Sequence, residues 1–156
     1  MEEQKSQDPH SFDQRWLSTE GKYTIPEGVT EIAFRGFRGK GIKSIEIPWS
    51  VEIIERWAFL DSGLESLNIP SSVKIIGKGA FEKCENLKHA SLHEGLLEIE
   101  DGAFCLSGLE SINIPISVKS IWGGAFDRCK NLKPFYGSGL ESINICKTFE
   151  FYMCRN

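Results

Sequence analysis

The chain has 156 residues, of which 40% are apolar and 26% charged, and a formal net charge of −4; it fits one domain, or a short repeat array, with a continuous core. Lysines and arginines are spread among acids without forming a basic patch, so nucleic acid is not an expected partner. No stretch approaches the roughly 20 apolar residues of a membrane span, and the opening Met-Glu-Glu-Gln-Lys-Ser-Gln-Asp-Pro is too polar for a secretory leader. As given, the chain reads as cytoplasmic; a removed signal would place it at the cell surface or outside.

The first 22 residues read as a cap. Phe12, Trp16 and Leu17 precede Tyr23 and Ile25 across the turn-like Ser18-Thr-Glu-Gly21, which suits a hairpin covering the first repeat. The competing reading is a helix that places Phe12 and Trp16 on one face.

From residue 23 to about 145 the pattern changes to a repeat. The phrase Ile-Pro-x-x-Val-x-x-Ile-x-x-x-x-Phe begins at Ile25, Ile47, Ile69 and Ile114, and in altered form at Leu92, a spacing of 22 or 23 residues. Such a period predicts a solenoid, because one unit is too small to bury its own apolar face and must stack on its neighbours. Each copy opens with a strand-like phrase such as Leu64-Glu-Ser-Leu67-Asn-Ile69-Pro70, apolar residues inward and Ser66 and Asn68 outward. Proline ends the strand, since it has no N–H for the next rung. A second short phrase, Val73-Lys-Ile-Ile76, follows; Gly77 and Gly79 allow a tight corner, and Phe81 enters the core with Phe59, Phe104 and Phe126 in one column. The expected architecture is short parallel strands on a concave face, short second strands, and turns with 3-10 or helical corners on the convex side.

The last repeat has an ambiguous register. Leu132 and Phe135 arrive on the period, yet Ser138 to Ile145 repeats Ser107 to Ile114 letter for letter and arrives late. The last copy is either compressed or carries an insertion of about eight residues before a final strand, and the insertion is the reading adopted. Residues 146–156 then form a cap or tail.

Catalytic signatures are absent: there is no Gly-x-Ser-x-Gly or His-Glu-x-x-His, and the serines fall in repeating solvent-facing columns without a histidine and carboxylate partner pattern. Gly36-Phe-Arg-Gly-Lys-Gly41 lacks the Ser or Thr of a phosphate loop and reads as a loose exit from an incomplete first copy. Cys84, His89 and His93 have a metal-like spacing, but two histidines roughly 13 Å apart along an extended chain do not share one ion; no metal or cofactor is expected. Five cysteines without a Cys-x-x-Cys pair suit a reducing compartment. Cys84 and Cys129 stand two rungs apart, too far for a disulfide, and only Cys146 with Cys154 is a candidate pair.

The candidate binding surface is the concave face. Its outward columns are Ser44, Ser66, His89, Ser111 and Glu46, Asn68, Ser91, Asn113, small polar groups that a partner can cover at little desolvation cost. Beside them Lys43, Glu65, Lys88, Glu110 and Lys133 alternate in sign and suit a register-fixing ladder. Trp49, Trp57 and Trp122 interrupt columns of small or acidic residues, so they either contact a partner or plug irregular copies.

The units Leu64-x-x-Leu-x-Ile-Pro-x-Ser-Val-x-x-Ile-Gly-x-x-Ala-Phe-x-x-Cys84 and Leu109-x-x-Ile-x-Ile-Pro-x-Ser-Val-x-x-Ile-x-x-x-Ala-Phe-x-x-Cys129 resemble the BspA-like, or treponemal-type, leucine-rich repeat, over about residues 23–145. The resemblance implies a right-handed solenoid and a non-enzymatic role, often adhesion or contact with host proteins. Two departures stand out: the opening residues do not read as an export signal, so an adhesin role is not the expectation, and Ser50, Ser72 and Ser117 occupy the place of the usual asparagine ladder. The expected function is protein binding through the concave face. A surface-adhesion or carbohydrate-binding module and a self-associating structural repeat are the alternatives.

Overall fold

The computed structural model describes residues 15, 17–133 and the backbone of 144–145. The alternating phrases form β1 (Lys22–Thr24), β3 (Ser44–Glu46), β5 (Ser66–Ile69), β7 (His89–Leu92) and β9 (Ser111–Asn113). Between them lie the shorter β2 (Glu31–Ile32), β4 (Ile53–Ile54), β6 (Ile75–Ile76), β8 (Glu98–Ile99), β10 (Ser120–Ile121) and β11 (Asn144–Ile145). All strands pair in parallel, one repeat per step: Ser66 faces His89, which faces Ser111, and Ile54 faces Ile76, which faces Ile99. The first set forms two ladders, β1-β3 and β5-β7-β9, joined by the Glu65 N–H donating to the Lys43 carbonyl at 2.8 Å. The second set is one continuous sheet, β2-β4-β6-β8-β10-β11.

The two sheets enclose a single core. Tyr23, Ile45, Leu67, Ala90 and Ile112 enter it from the first sheet, and Ile32, Ile54, Ile76, Ile99 and Ile121 from the second. Phe37, Phe59, Phe81, Phe104 and Phe126 stack through its middle, successive centroids 4.9, 5.0, 5.2 and 5.5 Å apart and planes within 17°. Tyr23 meets the first ring edge-on at 4.8 Å. The expected column of Phe59, Phe81, Phe104 and Phe126 is present, and Phe37 adds a fifth ring.

A column of Ser62, Cys84, Ser107 and Cys129 runs beside the rings. Cys84 Sγ donates to the Phe59 carbonyl at 3.2 Å and lies 3.4 Å from Ser62 Oγ; Cys129 repeats this with Phe104 at 3.0 Å and Ser107 at 3.2 Å. Ser107 stands between the two thiols, and both serines are buried here, not in the solvent-facing columns expected, because their hydroxyls bond the thiols; Cys84, Cys105 and Cys129 are free. Burial pushes the Cys84 thiol from 9.0 to about 11, and it also raises Cys129 and Cys105. Cys146 and Cys154 lie outside the described residues.

The corners after the second sheet are turns rather than helices. Trp57, Phe59 and Asp61 each donate their N–H to the next coil, to the carbonyls of Lys78, Ala80 and Glu82, while Ala58, Leu60 and Ser62 donate three residues back within their own coil. Two left-handed residues per coil permit this alternation. One column is Arg35, Trp57, Gly79, Gly102 and Gly124, with φ between 56° and 73°; the other is Gly39, Asp61, Lys83, Leu106 and Arg128, with φ between 56° and 64°. Glycine adopts this conformation freely, whereas other residues meet a cost of roughly 1–2 kcal/mol each. The sequence signalled only the glycines.

At the serine corner, Ser50 Oγ accepts from the Gly28 N–H at 3.1 Å, and Ser117 Oγ accepts from Gly95 at 3.0 Å while donating to the Leu96 carbonyl at 2.8 Å. Serine thus substitutes for asparagine by bonding one coil back. Ser72 Oγ is buried without a partner.

At the leading end, an antiparallel bridge joins Leu17 to Tyr23, and the Ser18 N–H donates to the Lys22 carbonyl at 2.8 Å. That is the expected hairpin turn; Phe12 and Trp16 lie outside the described residues. At the trailing end, the Lys133 N–H reaches the Glu110 carbonyl at 3.1 Å, so the period is kept. Asn144 and Ile145 pair with Ser120 and Ile121 in the second sheet, whereas the letter-for-letter repeat places them with the first-sheet type of strand. Backbone position along the coil, not local letters, decides the pairing. Ile145 follows its partner Ile121 by 24 residues, one more than the longer repeat period, so the expected insertion of about eight residues does not precede this strand.

Four predictions follow from this packing. Phe81→Ala should lose about 3–5 kcal/mol in urea denaturation, because the ring is stacked on both sides and its cavity cannot collapse. Gly102→Ala should cost about 1 kcal/mol, and Gly79→Ala more, because a Cβ there would lie 2.5 Å from Trp57 Cδ1; equal losses in thermal unfolding would show that Trp57 does not cover Gly79. Of the three described cysteines, half-buried Cys105 should be alkylated first by iodoacetamide at pH 8, as read by peptide mapping. Since the folded Cys84 thiol is the weaker acid, its contribution to stability is complete below pH 9.0 and fades as pH rises to about 11. Cys84→Ser should reduce that decline.

Candidate functional site

The short strands of the first sheet place every second side chain outward. Ser66, Asn68, His89, Ser91, Ser111, Asn113 and Glu46 are exposed, and Ser44 is half-buried. The strand register aligns Ser66, His89 and Ser111 in one column and Asn68, Ser91 and Asn113 in the next. All eight residues read from the sequence therefore lie on one surface. Lys22 and Thr24 extend it by one rung, opposite Ser44 and Glu46. The sequence reading stopped short of these two, although they stand one repeat before their partners.

Part of this face is already internally bonded. Glu46 accepts from Lys22 Nζ at 2.5 Å and from Thr24 Oγ1 at 3.0 Å, and these bonds hold its carboxyl below the usual carboxylate range. His89 Nδ1 lies 3.2 Å from Ser111 Oγ, and His93 Nε2 lies 2.8 Å from Asn68 Oδ1. Among the described residues, Ser44, Ser66, Ser91 and Asn113 have no side-chain partner, so their donors and acceptors stay available to a ligand. The face is a lattice of small hydrogen-bonding groups, about 4.8 Å from rung to rung.

The charged column flanks it as expected. Lys43 pairs with Glu65 at 3.8 Å, and Lys88 with Glu110 at 3.1 Å, an approach that lowers the Glu110 carboxyl. These solvent-exposed pairs couple neighbouring coils and are screened by salt.

The tryptophans lie elsewhere. Trp49 is 74% exposed in the turn after Pro48, and Trp122, beside the second sheet, donates its Nε1–H to Glu98. Trp57 is half-buried at a corner, over Gly79 and against Phe34. The structure does not bring the three together, nor join any of them to the sheet face. Cys84 is buried in its column while His89 and His93 bond to separate residues, and among the described residues no three His, Cys, Asp or Glu side chains are grouped to hold a metal ion. No helix of the described residues is long and apolar enough to cross a membrane.

Solved proteins share this arrangement. A leucine-rich repeat protein from Bacteroides ovatus is 27% identical at a TM-score of 0.60, the match covering 78% of this chain and 38% of that one. The pneumococcal vaccine antigen PcpA is 28% identical at a TM-score of 0.66, covering 82% of this chain and 31% of that one. The chain thus spans about a third of the length of these two proteins. The Treponema pallidum leucine-rich repeat protein, 22% identical at a TM-score of 0.64, matches over 83% of this chain and 82% of its own and is similar in fold. No curated protein matches. The model of the BspA type leucine-rich repeat region, six copies long, matches residues 10–133, and with the in-register coils described above it establishes that this chain belongs to the BspA-type leucine-rich repeat family.

Proposed function

We propose that the chain is a non-enzymatic binding module whose first-sheet face takes another protein. The observation that carries this reading is the in-register array of exposed small polar side chains on β3, β5, β7 and β9, several with unused hydrogen-bonding groups. Such a surface loses little on desolvation and offers regularly spaced donors and acceptors to a partner's side chains. Five strands span roughly 20–25 Å, and a typical interface takes about 800 Å² per partner. Flanking turns, including exposed Trp49, therefore contribute to the contact.

A sugar-binding face would be expected to present aromatic rings for stacking. No Trp, Tyr or Phe occupies an outward position on the described strands of this sheet, which favours a protein partner.

The double variant Ser66→Arg/Asn68→Arg should abolish partner capture from the native environment while leaving the far-UV circular dichroism spectrum unchanged. Light scattering on the same samples separates capture of a partner from self-association. Undiminished capture by the double variant would remove this face from consideration.

A further inference from the structure

The first two coils depart from the other three at one corner. In the left-handed column, coils three to five use Gly79, Gly102 and Gly124, but the first two hold Arg35 at φ 57° and Trp57 at φ 56°. The same φ recurs at Asp61, Lys83, Leu106 and Arg128, where it belongs to the hydrogen bonding between coils, so what distinguishes these two corners is the side chains they carry. The preceding column holds Phe34 and Arg56 in these same two coils.

The four side chains form one cluster. The Arg35 guanidinium carbon lies 4.8 Å from the Phe34 ring centre and 5.2 Å from that of Trp57; for Arg56 the distances are 4.9 and 5.7 Å. The two rings are 5.7 Å apart at 50°. These distances are within cation–π range. Both arginines are exposed, and Phe34 is 44% exposed.

Neither guanidinium pairs with a carboxylate among the described residues, as is also true of exposed Arg38, Lys83 and Lys119; what sets these two arginines apart is that both lie over the same two rings. Two like charges are thus held over the same two rings without an internal counterion. A guanidinium packed on an aromatic ring keeps N–H groups that match the two oxygens of a carboxylate. The exposed Phe34 ring adds an apolar platform beside them. A long polyanion would be repelled by the rest of a chain of net charge −4. A short acidic stretch meets less of that charge, the Glu82 carboxylate beside Trp57 marking the edge of the cluster.

We propose that Phe34, Arg35, Arg56 and Trp57 form a second docking site, for a short acidic peptide segment of a partner protein. The guanidiniums receive its carboxylates, and a neighbouring apolar side chain lies on Phe34. This site is separate from the sheet face and stands or falls independently of it.

The test is fluorescence anisotropy of a labelled Gly-Glu-Phe-Glu-Gly peptide with the full chain at low salt. Arg35→Gln/Arg56→Gln should weaken binding at least about tenfold, and Lys83→Gln should leave it within about twofold. Arg35→Gly installs the residue that three other coils carry, so it retains the fold while also weakening binding. A peptide with glutamine in place of glutamate should not bind. The proposal is overturned by no saturable binding to the unaltered chain, by equal binding of the two peptides, or by indifference to both arginine variants. Tighter, equally arginine-dependent binding of a sulfated oligosaccharide would also overturn the peptide assignment.

Discussion

Everything in this molecule depends on each coil lying in register on the next. Strands of two to four residues are too short to persist alone. Here their N–H and C=O groups are satisfied by the neighbouring coils, and a ring such as Phe81 is enclosed by Phe59 and Phe104. A shift of one residue would turn Ile32, Ile99 or Ile121 to solvent and bring Glu31, Glu98 or Ser120 into the core. Register is therefore enforced by the apolar columns and reinforced by the buried serine–cysteine column.

The corners show how this constraint overrides local preference. Asp61, Lys83, Leu106 and Arg128 adopt left-handed backbone conformations because those conformations send alternate N–H groups to the adjacent coil. The energetic cost at one residue is offset by hydrogen bonds that would otherwise be lost from a crowded corner. Gly79 has a second role, since Trp57 of the previous coil lies where its side chain would be.

The same regularity makes departures from it informative. The first-sheet face is nearly uniform from coil to coil, which suits contact with an extended partner. The corner bearing Phe34, Arg35, Arg56 and Trp57 is local to two coils and unlike its equivalents, which suits a single small contact. The two surfaces differ in chemistry, one neutral and hydrogen-bonding, the other cationic and aromatic. They can be tested with separate variants.

Much of this was legible in the one-dimensional pattern. The period of the Ile-Pro-x-x-Val phrase identified a solenoid, the alternation in Leu64 to Ile69 identified the inward and outward residues, and the spacing of phenylalanines identified the core column. Those features are local or strictly periodic, so composition at fixed intervals is enough to read them. The arginine–aromatic cluster was not legible, because its members acquire meaning only when one coil is laid on the next and a turn aims their side chains together. The same holds for the left-handed non-glycine corners, the unpartnered Ser72 hydroxyl and the placement of Asn144–Ile145. Sequence alone determined which apolar residues each coil buries, because their burial follows the period; tertiary structure decided which serines join them and what the coils present to solvent, because that depends on contacts between residues about 22 positions apart.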